Sequence, residues 1–147
     1  MTIRQANDDE LTVISNEIPK LFKEAITANF DLADASLHNM SNQLREQGAK
    51  YYVLIEDDIL KGFVLIDKRT DHIVQRDYGF IYELYVFENY RRQGLAEKLI
   101  HFVNEEFKKQ GIYEVRLNVD AQNKAQYLYE KMGFHNLNIT KSINLIE

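Results

Sequence analysis

The chain holds no cysteine, so no disulfide framework, thiolate metal site or cysteine nucleophile can form. Acyl transfer through an enzyme cysteine is thereby excluded, and the cysteine usage suits a cytoplasmic protein. No apolar run approaches the roughly 20 residues that span a bilayer, and Met1-Thr2-Ile3-Arg4 lacks the apolar segment and small-residue cleavage site of a secretory leader. A soluble, cytoplasmic protein without a membrane partner is expected. Positive charge is in short supply: 18 Lys and Arg stand against 23 Asp and Glu, a net of −5. Bulk attraction to a phosphate backbone is therefore not expected. The pairs Arg91-Arg92 and Lys108-Lys109 are too short for a nucleic-acid patch and lack interleaved aromatics, so no nucleic-acid partner is expected. His38, His72, His101 and His135 show no ligand spacing among themselves or with carboxylates, and no metal is expected. There is one proline, Pro19, and no linker, repeat or low-complexity segment, so residues 1–147 read as one domain.

At 147 residues a chain buries about 70% of the surface its unfolded form exposes, enough for a sizeable core. The acidity is uneven. Residues 1–47 hold eight acidic residues against four basic ones, whereas residues 48–147 hold fifteen against fourteen. Asp8 to about Gln47 lacks strand alternation and reads as two helices, the first broken near Pro19, with Gly48 stopping the second. Lys50 to Ile55 and Ile59 to Asp67 are rich in β-branched and aromatic residues around a Glu56-Asp57-Asp58 turn, which predicts a hairpin. Phe80 to Phe87 reads as a further strand. From Leu95, apolar residues recur at Leu99, Phe102, Val103 and Phe107, with Lys98, His101, Glu105 and Lys108 opposite; this is a helix with one buried face. Gln110-Gly111 ends it and Glu114 to Val119 returns as a strand, a crossover of the length needed for parallel pairing. Asn123 to Met132 reads as a short helix ended by Gly133. Leu137 to Ile139 and Ser142 to Ile146 read as closing strands. The sum is a mixed α/β domain with helices on both faces of a central sheet.

The junction Tyr90-Arg91-Arg92-Gln93-Gly94-Leu95-Ala96 carries the chemistry. The first turn of a helix leaves about four N–H groups without intrahelical partners, and the helix dipole places positive charge there, so an anion fits that end. Gly94 and Ala96 let the main chain approach phosphate oxygens, and Arg91 and Arg92 add charge. A Walker loop needs a Gly-Lys-Ser/Thr ending and a dinucleotide fingerprint needs three spaced glycines; both are absent.

Arg91, Gly94 and Ala96 match the pattern Arg/Gln-x-x-Gly-x-Gly/Ala of the GCN5-related N-acetyltransferase (GNAT) family. The preceding strand Tyr82-Glu83-Leu84-Tyr85-Val86 and the later run Ala125 to Phe134 also resemble that family, as does the opening Thr2 to Ala6. The resemblance implies a single-domain fold with a central sheet of about six to seven strands, and acetyl-CoA as cosubstrate. It implies pyrophosphate binding by the amides from about Arg92 to Glu97, through Gln93, Gly94, Leu95 and Ala96, and pairing of pantetheine with the backbone of Leu84, Tyr85 and Val86, as an added strand. Tyr129, within Leu128-Tyr129-Glu130-Lys131-Met132-Gly133-Phe134, resembles the tyrosine that hydrogen-bonds or protonates the leaving sulfur; read alone, it is a core tyrosine with a satisfied hydroxyl. A phenol near 10 and a thiol near 8.5 make full proton transfer roughly 2 kcal/mol uphill, so a strengthening hydrogen bond suffices. The family's asparagine, seven residues before the tyrosine, is here Gln122, with Asn123 one residue later; pantetheine contact and helix capping both stand open.

Glu83 lies among aromatic and aliphatic neighbours, where a charge is costly without a partner or cleft. An attacking amine must lose a proton, since under 1% of a lysine-type amine is neutral at pH 7. Glu83 is thus a candidate base through water; orienting a cationic substrate, or pairing with Arg116, is the other reading. The expected reaction is direct attack of an amine on the thioester in a ternary complex, without metal, on a small-molecule or peptide amine whose positive charge the acidic N-terminal third favours. The loop from Lys68 to Tyr78 is expected on the acceptor side, and a homodimer by analogy. A catalytically silent acyl-CoA-binding regulatory module is the alternative.

Overall fold

The computed structural model describes residues 1–25 and 34–146. The elements run β1 (Thr2–Gln5), α1 (Asp8–Ala25), α2 (Asp34–Glu46), β2 (Lys50–Glu56), β3 (Ile59–Asp71), β4 (Arg76–Val86), α3 (Leu95–Lys109), β5 (Val115–Leu117) and α4 (Ala125–Lys131). The strands form one mixed sheet in the order β1-β2-β3-β4-β5, antiparallel except for the parallel pair β4–β5.

Local chemistry sets several boundaries. Asn7 and Glu10 form a reciprocal cap on α1: the Glu10 amide donates to Asn7 Oδ1 and the Asn7 amide to Glu10 Oε1, each 2.9 Å. Helix α1 runs straight through Pro19, contrary to the break expected there. Pro19 removes the hydrogen bond to the Ser15 carbonyl, but Ser15 is exposed to water, and burial of Ile14, Ile18 and Leu21 holds the helix together. Asp57 and Asp58 both take positive φ (55° and 61°), the two-residue turn that matches strand twist.

The sheet is covered on both faces. One core joins α1 and α2 to Tyr51, Val53, Phe63, Leu65 and Tyr85. The other packs α3 through Leu95, Leu99, Val103 and Phe107 against Leu54, Val64, Ile66 and Ile81.

Strand β4 carries the feature that positions everything else. Leu65 pairs with Glu83 and Ile66 with Ile81, so Tyr82 is an extra residue, a β-bulge of the kind found beside functional sites. It reverses the alternation. Before it, Ile81 faces the α3 core; after it, Leu84 and Val86 do, while Tyr85 faces α1.

Two expectations are corrected. The sheet has five strands among the described residues, fewer than the expected six to seven, because neither Leu137 to Ile139 nor Ser142 to Ile146 forms a ladder. Alternation alone does not make a strand, and this segment does not reach the outer edge of β5: Ile143 and Leu145 are 82% and 87% exposed. Nor is Lys68 to Tyr78 a loop; both strands continue through it and only residues 72–75 turn.

Candidate active site

The parallel ladder between β4 and β5 holds three pairs, Gly79 with Val115, Phe80 with Arg116 and Ile81 with Leu117, and then stops. Strand β4 continues for five residues to Val86. From Tyr82 onward the edge of β4 that faced β5 is open, and the bulge at Tyr82 sits where the strands part.

Beyond Val86 a single 3-10 turn, Glu88–Tyr90, leads to the arginine pair and to α3. Arg92 (φ 64°) and Gly94 (φ 76°) are left-handed, which turns successive amides toward one side. Helix α3 has no side-chain cap. Among the described residues the amides of Arg92, Gln93, Gly94, Leu95, Ala96 and Glu97 have no hydrogen-bond acceptor, and the first intrahelical bond is Lys98 to the Gly94 carbonyl at 3.2 Å. Six donors at the positive end of a helix form an anion cradle.

The two arginines differ. Arg91 turns back: its Nε donates to the Val86 carbonyl at 2.9 Å and an Nη to Glu24 on α1 at 2.8 Å, with the guanidinium 5.2 Å from the Tyr85 ring centre. Arg92 is exposed. The Tyr85 hydroxyl donates to Glu17 of α1 at 3.2 Å. Glu97 accepts from Lys131 at 2.9 Å, which ties the start of α3 to the end of α4.

Helix α4 follows β5 in the chain. Tyr129 is half-buried, and its ring meets Phe134 edge-on at 5.9 Å. Burial raises its phenol above the ordinary value of 10.0, so it stays protonated, and its hydroxyl has no hydrogen-bond partner among the described residues. Asn123 accepts from the Ala125 amide at 2.8 Å and donates to the Ala25 carbonyl at 3.2 Å; it caps α4 and fastens it to α1. Gln122 is exposed.

Glu83 is 3% exposed. Ser41 Oγ donates to one carboxylate oxygen at 2.6 Å and the Tyr51 hydroxyl to the other at 2.5 Å. Tyr51 reaches it because Tyr51, Leu65 and Glu83 stand in one row across β2, β3 and β4, on one face of the sheet. Loss of water raises the Glu83 carboxyl above its ordinary value, and the two hydroxyls partly offset that. Burial, then the Glu83 charge, pushes the Tyr51 phenol up strongly. Ser41 and Tyr51 also line a cavity of about 40 Å³ between α1 and α2, room for a few water molecules. Pairing with Arg116 does not occur: Arg116 bonds Asp71 at 2.9 Å and Glu114 at 3.0 Å. Among the described residues no group of three or more His, Asp or Glu could hold a metal ion, and no helix is long and apolar enough to cross a membrane.

The structure thus sets the turn from Arg91 to Glu97 directly after the end of β4 and ties α3 to α4 through Glu97 and Lys131. Sequence reasoning missed Ser41, Tyr51, Glu17 and Glu24. The isolated carboxylate in an apolar strand was the one signal that a buried partner existed.

Residues 15–146 match the family model for the acetyltransferase (GNAT) domain. YdgE of Bacillus subtilis, an uncharacterized N-acetyltransferase, is 28% identical over 111 residues, covering 75% of this chain and 71% of the relative. A Pyrococcus furiosus protein described as an acetyltransferase superposes with a TM-score of 0.79 at 19% identity, over 98% of this chain and 99% of its own. A Clostridium acetobutylicum protein, described as a predicted acetyltransferase and crystallised with acetyl-CoA, superposes at 0.70 and 19%, over 99% and 96%. With its divergent β4–β5 pair, its uncapped α3 and a domain match over nearly the whole length, the chain belongs to the GNAT family of acetyl-CoA-dependent acetyltransferases.

Proposed function

We propose that the chain acetylates a positively charged primary amine by direct attack on the thioester of acetyl-CoA, with both substrates bound together. The observation that carries this is the open edge of β4 beyond Ile81, set beside six unpaired amides at the start of α3. The residues fit the ligand: the amides of Arg92 to Glu97 would hold its pyrophosphate, and the backbone of Leu84 to Val86 would pair with its pantetheine arm. Bound acetyl-CoA supplies the activated acetyl group. Tyr129 supplies the hydrogen bond to the departing sulfur, and burial keeps its proton in place for that purpose.

Both oxygens of Glu83 are engaged. Its contacts support an orienting role, in which it fixes Ser41 and Tyr51 beside a cavity with room for water, over direct contact with the amine. Glu17 stands on α1 beside Tyr85 and Glu24 beside Arg91; Arg91 already neutralises Glu24, so Glu17 is the carboxylate whose charge favours an ammonium-bearing acceptor.

The test is thiol release from acetyl-CoA across polyamines, aminoglycosides and peptides with free N-termini, with calorimetric titration of CoA. Turnover above hydrolysis with at least one amine class is expected. CoA binding without amine-dependent thiol release in any class would reject the transfer reaction.

A further inference from the structure

The arginine pair at the turn invites one role for both residues, but the geometry separates them. The guanidinium of Arg91 bridges the Val86 carbonyl (2.9 Å) and Glu24 (2.8 Å) and covers the Tyr85 ring. Its charge is directed at the end of β4 and at helix α1, and away from the amide cradle. A carbonyl oxygen has two lone pairs, so the Val86 carbonyl held by Arg91 still has one to offer, in an orientation the guanidinium fixes. Arg92 is exposed and has no ion-pair partner among the described residues; its backbone is left-handed (φ 64°) and its own amide is the first of the six in the cradle.

Resting on the cofactor-site reading above, we propose that Arg91 is a positioning residue. It sets the last carbonyl of β4 for the pantetheine arm and fastens that strand end to α1, while charge toward the pyrophosphate comes from Arg92. The turn has anchors independent of Arg91. The Phe87 amide donates to the Lys61 carbonyl at 2.9 Å, and the Tyr90 amide to Phe87 at 2.9 Å. Lys61 lies 5.1 Å from the Tyr90 ring centre, and Lys20 pairs with Glu88 at 2.8 Å. Loss of the Arg91 guanidinium therefore frees the end of β4 and leaves the phosphate turn in place. A lysine carries the same charge but lacks the planar fork that reaches two partners at once.

The experiment titrates CoA and ADP into the wild type, Arg91→Gln, Arg91→Lys and Arg92→Gln, with thermal melting as the check on folding. ADP carries a pyrophosphate without a pantetheine arm. Both Arg91 variants are expected to bind CoA about tenfold more weakly, a loss of about 1.4 kcal/mol, with ADP affinity within about twofold of the wild type. Arg92→Gln is expected to weaken both ligands by the same factor and to reduce the salt dependence of binding. Equal losses of ADP and CoA in Arg91→Gln, or recovery of CoA affinity in Arg91→Lys, would overturn the assignment. A wild type that binds neither ligand would remove the cofactor site itself, and this assignment with it.

Discussion

Replacing Glu83 tests the buried row that joins β4 to α2. In Glu83→Ala, Ser41 and Tyr51, residues each 4% exposed, lose the acceptor of their hydroxyls. At about 1–1.5 kcal/mol for each orphaned hydroxyl the cost is roughly 2–3 kcal/mol, before any cavity adds to it. For a domain of this size each kcal/mol lowers Tm by about 2–4 °C, so a fall of roughly 5–10 °C is expected. Glu83→Gln keeps one acceptor and adds a donor, and should lie within about 1 kcal/mol of the wild type near neutral pH. The pH dependence tests the cost of burying the Glu83 charge. The folded carboxyl lies above the ordinary 4.5, so the unfolded chain releases this proton first. Stability from this group is full below about 4.5 and is lost as pH rises toward the raised folded value, by about 1.4 kcal/mol for each unit of elevation. Carboxylates such as Glu10 and Asp71, held low by Arg4 and Arg116, act in the opposite direction, so the readout is the difference between wild type and Glu83→Gln. Denaturant unfolding followed by circular dichroism at several pH values should show Glu83→Gln gaining on the wild type as pH rises. A pH-independent difference, or a Glu83→Ala protein as stable as the wild type, would refute the reasoning.

Tyr129→Phe should lower kcat by about tenfold to a hundredfold while CoA affinity measured by calorimetry stays within twofold. In the wild type, any alkaline loss of rate due to this phenol should fall above pH 10, since burial raises it; a pH–rate profile checks the sign. Gly94→Ala adds a Cβ with nothing within 4 Å at φ 76°, so backbone strain of about 1–2 kcal/mol is its main consequence, read as a melting temperature lower by about 2–8 °C together with weaker CoA binding. Gly79→Ala places a Cβ 2.4 Å from the ring of Phe107, which is 2% exposed and cannot swing aside. A loss of about 1–3 kcal/mol in denaturant unfolding is expected.

Elements with their own local chemistry were legible in the sequence. The stripe Leu99, Phe102, Val103 and Phe107 marked α3, the Asp57-Asp58 turn marked the β2–β3 hairpin, and the length from Phe80 to Val119 marked a parallel crossover; each formed where expected. The turn from Arg91 to Ala96 was legible because glycine and charge at a helix start have a direct electrostatic meaning. What depended on distant partners was not. Nothing in Lys68 to Tyr78 distinguishes a polar loop from an exposed hairpin, and Pro19 looked like a break because the packing of Ile14 and Ile18 is not written locally. The contacts of Glu83 lie 42 residues away at Ser41 and 32 at Tyr51, beyond any periodicity. Arg91 was read with its neighbour because charge in a sequence has no direction.

Tyr82 has a consequence larger than its own contacts. Because it is one residue too many for β3, every side chain from Glu83 to Val86 faces the layer opposite to the one that simple counting from Ile81 would assign. Straightening the strand with Tyr82 kept, so that Tyr82 met Leu65 and Glu83 met Val64, would drive a carboxylate toward the aliphatic packing beneath α3 and turn Leu84 and Val86 to the α1 side. The parity of this strand, rather than any particular side chain on it, decides which layer meets the acyl chemistry. A one-residue deletion at 82 should therefore leave Glu83 bonded to Ser41 and Tyr51 while removing the kink at which β4 and β5 part.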